Sequence, residues 1–228
     1  MQRISAKGKV VRLQIESRQG DVARLIEKDG RPLTSAENQA EIARLTRILA
    51  VPSEFLRHHK HDAAMLHDAN TLLGELPKAL LYTYTEGQPQ RANLPGPQIV
   101  IDFRPNPAYK PPTMLSEVLT GISGRVWIDR KTHNMTRIEG SFHKAVNFGY
   151  GVVAHIYPGG TLALEQIDIG NGHWAFSHLD EHLLVRAFMV KMIPEDVTMT
   201  ATDFHPLPGP IDFQDAVRQL LAVPVHTQ

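Results

Sequence analysis

Between residues 9 and 16, Val11, Leu13 and Ile15 alternate with Val10, Arg12, Gln14 and Glu16. A period of two predicts a half-buried strand. Gly20-Asp21 signals a turn, a second strand follows over 21–28, and Asp29-Gly30 closes a hairpin. The period then lengthens. Thr34 and Glu37 have capping-box spacing, and Ile42, Leu45, Ile48 and Leu49 form a stripe at helical intervals. Pro52 ends that helix or starts the next. Residues 53–74 keep a helical composition with Phe55, Met65, Leu66, Leu72 and Leu73 as apolar members, and Gly74 is the expected C-cap.

From Leu80 the pattern is β. Strands are predicted over 81–85 and 98–104, separated by a loop rich in Gly and Pro. The PNPAYKPP segment at 105–112 is extended, and an irregular or helical stretch runs to Gly121. Further strands are expected over 125–129, 135–139, 162–169, 173–179, 182–193 and 197–204. Residues 146–157 read as one long strand bent at Gly149 and Gly151. Asp180-Glu181 and Pro194-Glu195-Asp196 read as turns. Asp212 caps a last helix carrying Phe213, Val217, Leu220 and Leu221 on one face.

The helices are inserted after the first hairpin rather than alternated with strands, which argues against a parallel α/β fold. The expected fold is mainly β (α+β): a large, curved antiparallel half-barrel sheet, with a helical insertion at 34–78 and a C-terminal helix packed on its concave face. The chain is treated as one domain over 1–228.

Composition narrows the chemistry. The 228 residues contain no cysteine, which excludes disulfides, thiolate metal sites and a thiol nucleophile. Lys+Arg and Asp+Glu number 24 each, so no basic footprint for nucleic acid exists. The balance is uneven, with 12 basic and 7 acidic residues in 1–60. A basic end of that kind suits an acidic partner or an anionic surface. No window is long and apolar enough for a transmembrane segment. The strand-like run close to Met1 hints at preceding residues, such as a signal and a first strand.

The stretch RVWIDRKTHNMTRIE at 125–139 joins a Trp-Ile-Asp strand end to an Arg-Ile-Glu return strand. Asp129 and Thr132 suit the turn because short oxygen side chains bond nearby backbone N–H groups. This stretch resembles the LolA/LolB-like outer-membrane lipoprotein-sorting superfamily. Where that family has Gly-Leu-Pro in the turn, this chain has His133-Asn134-Met135. The pieces DGRPLTSAE (29–37), FRPNPAYKPP (103–112), VNFGYGVVAHI (146–156), GGTLALEQ (159–166) and DFHPLP (203–208) resemble an exported bacterial branch of it. The resemblance covers about residues 9 to 221. It implies an unclosed barrel with a helical lid around an apolar cavity, a periplasmic or otherwise exported location, and a lipid or acyl-chain ligand.

Candidate binding residues are the aromatic and apolar members of the central strands: Trp127, Phe148, Tyr150, Val152, Trp174, Phe176 and Phe188. By alternation Phe148, Tyr150 and Val152 share a face, as do Trp174 and Phe176; Phe188 goes with Leu184 and Met192. In a closed sandwich they would be core. In an open barrel some would line a ligand cavity. The densest ionisable cluster runs from His58 to Asp68. His58 with His61 or Asp62 has the i, i+3 or i+4 spacing that puts two metal ligands on one helical face, though a solvated helix is the plainer reading. No Gly-x-Ser-x-Gly elbow or phosphate loop is present. The leading expectation is therefore a non-enzymatic envelope protein that carries or senses a lipid or lipid-like ligand, without a cofactor. The alternatives are a structural or interaction protein with a filled cavity and an envelope protein partner, or a metal-assisted hydrolase using the 58–68 cluster.

Overall fold

A computed structural model describes residues 1–94, 96–148, 153–170, 172–187 and 191–228; the side chains of 58–66, 69, 187, 191, 193 and 195 lie outside the description. The elements in order are β1 (Gln2–Ser5), β2 (Gly8–Ser17), β3 (Gly20–Lys28), β4 (Arg31–Pro32), α1 (Ser35–Ala50), α2 (Pro52–Ala79), β5 (Leu80–Tyr84) and β6 (Gln98–Pro105). A 3₁₀ turn (Leu115–Thr120) precedes β7 (Ile122–Asp129), β8 (Met135–Phe142), β9 (Val146–Phe148) and β10 (Ala154–Ile156). Then come β11 (Thr161–Asp168), β12 (Trp174–Ala187), β13 (Lys191–Thr200) and α3 (Phe213–Ala222). The chain is mainly β, antiparallel and open, with its helices after the first hairpin and at the C-terminus. Among the described residues no helix is long and apolar enough to cross a membrane.

The contacts divide the chain into two compact units, residues 1–69 with 201–228 and residues 70–200. In the first, strands are ordered β4-β3-β2-β1. Leu13 and Ile15 of β2, Val22 of β3 and the α1 stripe of Leu45, Ile48 and Leu49 meet Phe213, Ala216, Val217 and Leu220 of α3 in one cluster. Phe55 stacks on Phe213 with ring centroids 4.6 Å apart. The capping box of α1 is closed: Glu37 N–H donates to Thr34 Oγ1, and Thr34 N–H donates to the Glu37 carboxylate. The Arg31 fork on that carboxylate holds Glu37 well below the usual range. At α3 the expected cap differs. Asp212 has the extended backbone of an N-cap but makes no side-chain cap bond; the Phe213 N–H donates instead to Gln19 Oε1, from the turn between β2 and β3.

Two buried polar groups complete this unit. Arg24 of β3, 2% exposed, donates from Nη1 to the carbonyls of Leu220, Leu221 and Val223, and from Nη2 to Asn38 Oδ1. It thereby satisfies the orphan carbonyls at the end of α3. Glu41 of α1 accepts the Leu25 N–H at 2.8 Å, beside the bulge where Val11 faces Glu27 and Arg12 faces Leu25.

The second unit is the ladder β13-β12-β11-β8-β7-β6-β5, with the β9–β10 hairpin attached to β12. Four expectations are corrected here. The helix does not stop at Gly74; it runs to Ala79, and Leu72 and Leu76 pack against Ala79, Leu80, Phe103 and Leu119. Residues 146–157 are not one bent strand, because β9 and β10 pair antiparallel with each other, Val146 facing Ile156. Asp180-Glu181 is not a turn but lies inside β12, where Asp180 faces Ala163 and Thr198. Pro194-Glu195-Asp196 likewise lies inside β13, with Pro194 facing Leu184. Asp180 and Asp196 stand in mid-strand on the face that also carries Asp102, Arg125, Glu139 and His182.

Candidate functional site

The register of the second unit assigns each side chain to a face, because residues directly opposite on neighbouring antiparallel strands project to the same side. One row runs Tyr84–Ile101–Val126–Ile138–Leu164–Leu179–Met199 across seven strands. The next runs Tyr82–Phe103–Gly124–Gly140–Leu162–Glu181–Val197. Within these two rows the face is apolar apart from Glu181. The opposite face carries Thr83–Asp102–Arg125–Glu139–Ala163–Asp180–Thr198 and, beside it, Ser123–Ser141–Thr161–His182–Asp196.

The glycine pair explains how the apolar face is shaped. A Cβ at Gly124 would stand 1.8 Å from the Glu139 carbonyl oxygen and 2.7 Å from Phe103 Cζ; one at Gly140 would meet Ile122 at 2.6 Å. Phe103 therefore lies over a glycine floor and joins the cluster under the end of α2. The first row differs. From Ile101 to Met199 its six members are half-buried, and Ile138 alone among them touches one of the four buried clusters. At ~4.8 Å between strands this is an apolar lane about 24 Å long.

On the polar face several of the charges are paired. Arg125 forks onto Asp102, with Nε 2.6 Å from Oδ1. This holds the Asp102 carboxyl below its ordinary range. Glu139 accepts from Arg91 and Arg137, and Arg137 also reaches Glu165. An open groove of about 470 Å³ lies between these pairs, bounded by Asp102, Arg125, Glu139, Ser141, Thr161 and Asp180, among others. A second hollow of about 430 Å³ adjoins Tyr84, Thr85, Gln88, Ile99 and Arg130.

His182 sits between two carboxylates, Nδ1 3.0 Å from Asp196 Oδ1 and Nε2 3.4 Å from Asp180 Oδ1. The hydrogen bond to Asp196 and the charge of Asp180 raise its pKa. Among the described residues no group of three or more His, Asp or Glu is placed to hold a metal ion.

The residues singled out from sequence separate. Trp127 is 4% exposed and packs with Leu94 and Val100. Its Nε1–H donates to the Pro89 carbonyl at 2.9 Å, and the guanidinium carbons of Arg91 and Arg125 lie 5.5 and 5.9 Å from the ring centroid. It belongs to the anchor of the 86–97 loop. Phe148 is half-buried against the cluster of Phe142, Val146 and Ile156. Trp174 and Phe176 face Asp168 and Gln166 and are half-buried. A shift of register between Glu165 and Gln166 puts this pair on the side of Leu164 and Leu179 rather than of His178. Neither aromatic packs in any of the four buried clusters. Tyr150, Val152 and Phe188 lie outside the described residues, as do the side chains of His58, His61 and Asp62. At the 129–134 turn the expected bonding is present. Asp129 Oδ1 accepts the N–H groups of Lys131 and Thr132 and the Thr132 hydroxyl. These bonds, that of the Thr132 N–H above all, hold the Asp129 carboxyl below its ordinary range. His133 takes a left-handed backbone at φ 58°.

Sequence reasoning missed the lane itself. Its members come from strands up to 98 residues apart, 101 to 199, and alternation marks each one without saying which stands beside which. No family model, curated protein or solved structure matches the chain.

Proposed function

We propose that this chain is a non-enzymatic binding protein for a lipid or lipid-like apolar ligand, which it carries or senses. The lane Ile101–Val126–Ile138–Leu164–Leu179–Met199 is the observation that supports it. A continuous half-buried apolar strip offers an extended chain contact along its length, and each methylene removed from water contributes about 0.8 kcal/mol. Trp174 and Phe176, on the same side and outside the buried clusters, supply a broad wall at one end. A place in the bacterial envelope follows from the resemblance of residues 125–139 and the accompanying pieces to lipoprotein-sorting proteins.

The test is extraction of gently purified protein with organic solvent and mass spectrometry of the extract, followed by titration with a fluorescent fatty acid. Saturable binding is expected. Leu164→Glu sets a charge in the middle of the lane and should weaken binding by more than roughly tenfold, a loss above ~1.4 kcal/mol. Absence of saturable binding, or full affinity in Leu164→Glu with unchanged circular dichroism, refutes the reading. A second reading, an interaction protein, is favoured by the exposure of β5: Leu81, Tyr82, Thr83 and Tyr84 are all solvent-exposed.

A further inference from the structure

We infer that the ligand is a single-chain fatty acid, and that Arg130 holds its carboxylate at the β5–β6 end of the lane. The inference rests on the apolar-ligand reading above and adds to it a head group and a direction. The row that forms the lane begins with Tyr84 and Ile101, which stand opposite each other. The hollow of about 430 Å³ is at this end, bounded by Tyr84, Thr85, Gln88, Ile99 and Arg130. Ile99 is two residues from Ile101 on β6, and it faces Ile128, two residues from Val126 on β7. Both therefore stand on the lane's side of the sheet. β7 ends at Asp129, but the ladder takes one further step, because the Arg130 N–H donates to the Pro97 carbonyl at 3.0 Å. That step continues the alternation, so Val126, Ile128 and Arg130 follow one another along a single face, from lane to hollow.

The cation at this end is uncommitted. Arg91, Arg125 and Arg137 each hold a carboxylate, whereas Arg130 makes no ion pair among the described residues. The adjacent carboxylate of Asp129 is engaged by the Lys131 and Thr132 N–H groups and the Thr132 hydroxyl. The Gln88 amide is engaged too: it donates to the Thr85 and Val100 carbonyls and accepts the Val100 N–H. No acidic side chain bounds the hollow. It therefore offers one guanidinium fork beside apolar Ile99 and the exposed ring of Tyr84. A carboxylate matches that fork in charge and in planar geometry. The lane is one row wide. In the row beside it, Phe103 is packed under the end of α2 and Glu181 stands between Leu162 and Val197. One chain fits such a strip, and it leaves the hollow at Ile101 with its methyl end towards Met199.

Equilibrium dialysis with radiolabelled palmitate and hexadecanol tests the head group, because the two share a chain and differ in charge. Palmitate should bind more tightly by about two- to fivefold, the range of a solvent-exposed ion pair. Added salt should narrow the gap. Arg130→Gln should abolish the preference and leave hexadecanol binding unchanged. Arg104→Gln makes the same charge change on the opposite face, where Arg104 stands against Leu81, and should keep the preference. Palmitate with a photoreactive group at its methyl end should label β12 or β13 near Leu179 and Met199. Circular dichroism on each variant separates lost binding from lost folding. Equal affinity for the two ligands in the wild type, or an undiminished preference in folded Arg130→Gln, overturns the head-group assignment while the apolar-ligand reading stands. Methyl-end labelling confined to β5 and β6 overturns the direction. A protein that binds neither ligand overturns both readings.

Discussion

Arg24 offers the sharpest test of how the first unit is held together. In Arg24→Met the volume and the apolar stem stay while the guanidinium is lost. Four hydrogen bonds go with it, but not equally. Those to Leu221 and Asn38 are 3.3 Å long, whereas those to Leu220 and Val223 are 2.5 and 2.8 Å. Two good bonds from a charged donor contribute about 1.5–3 kcal/mol each, and the charge at a helix C-terminus adds about 0.3–1 kcal/mol. Against this stands the cost of keeping the cation 2% exposed, with Nε lacking a partner, about 1–3 kcal/mol. Taken at mid-range, these terms balance to a loss of about 3 kcal/mol, a fall in Tm of about 6–12 °C. Urea unfolding followed at 222 nm suits the measurement, because the two tryptophans, Trp127 and Trp174, lie in the second unit and report on it instead. Hydrogen exchange should accelerate at the C-terminal turn of α3. Arg24→Lys keeps the charge but not the fork, and should recover no more than half of the loss. If Arg24→Met stays within 0.5 kcal/mol of wild type, the α3 carbonyls do not depend on this side chain and the reasoning fails.

Two further outcomes follow from the second unit. Gly124→Ala places a Cβ 1.8 Å from a backbone oxygen that cannot swing away, so the β7–β8 ladder must part. The expected cost is above ~3 kcal/mol, read by chemical denaturation with tryptophan fluorescence, and a neutral substitution would show that the strands separate freely. His182 gains Asp196 and Asp180 on folding, so its folded pKa lies above the unfolded value of 6.5. Its stabilising contribution is therefore fully present below pH 6.5 and is lost as pH rises through the folded pKa. A ring-proton NMR titration should show the raised midpoint, and Asp196→Asn should lower it; an unchanged midpoint in that variant would remove Asp196 as the cause.

How much of this could be read from one sequence depends on how local each signal is. The capping box at Thr34 and Glu37, the Leu13–Ile15 alternation and the Asp129 turn all involve partners within a few residues, and each is realised as read. Asp180-Glu181 and Pro194-Glu195-Asp196 mislead because acidic residues and proline are turn formers where both faces are wet. Here Asp180 and Asp196 sit on the polar face, whereas Glu181 stands among Leu162 and Val197 on the other. His178, Asp180 and His182 alternate with Leu179, Glu181 and Leu183, and that period of two was the better guide. Arg24 reads as the polar half of an alternating strand; only α3, arriving about 190 residues later, makes it a buried cap.

The functional rows are harder still, because they are properties of register rather than of residues. Ile101, Val126, Ile138, Leu164, Leu179 and Met199 each look like ordinary strand interior. They become a lane only after two register shifts, at Trp127/Ile128 and Glu165/Gln166, bring them into line. A shift of one residue in any pairing would carry the members beyond it to the polar face. The edge at β5 is intermediate in this respect. That 79–85 carry no charge is plain in the sequence. Which backbone groups point outward needed the bonds of Thr85 and Asn106, whose phase turns the even-numbered residues of β5 away from β6.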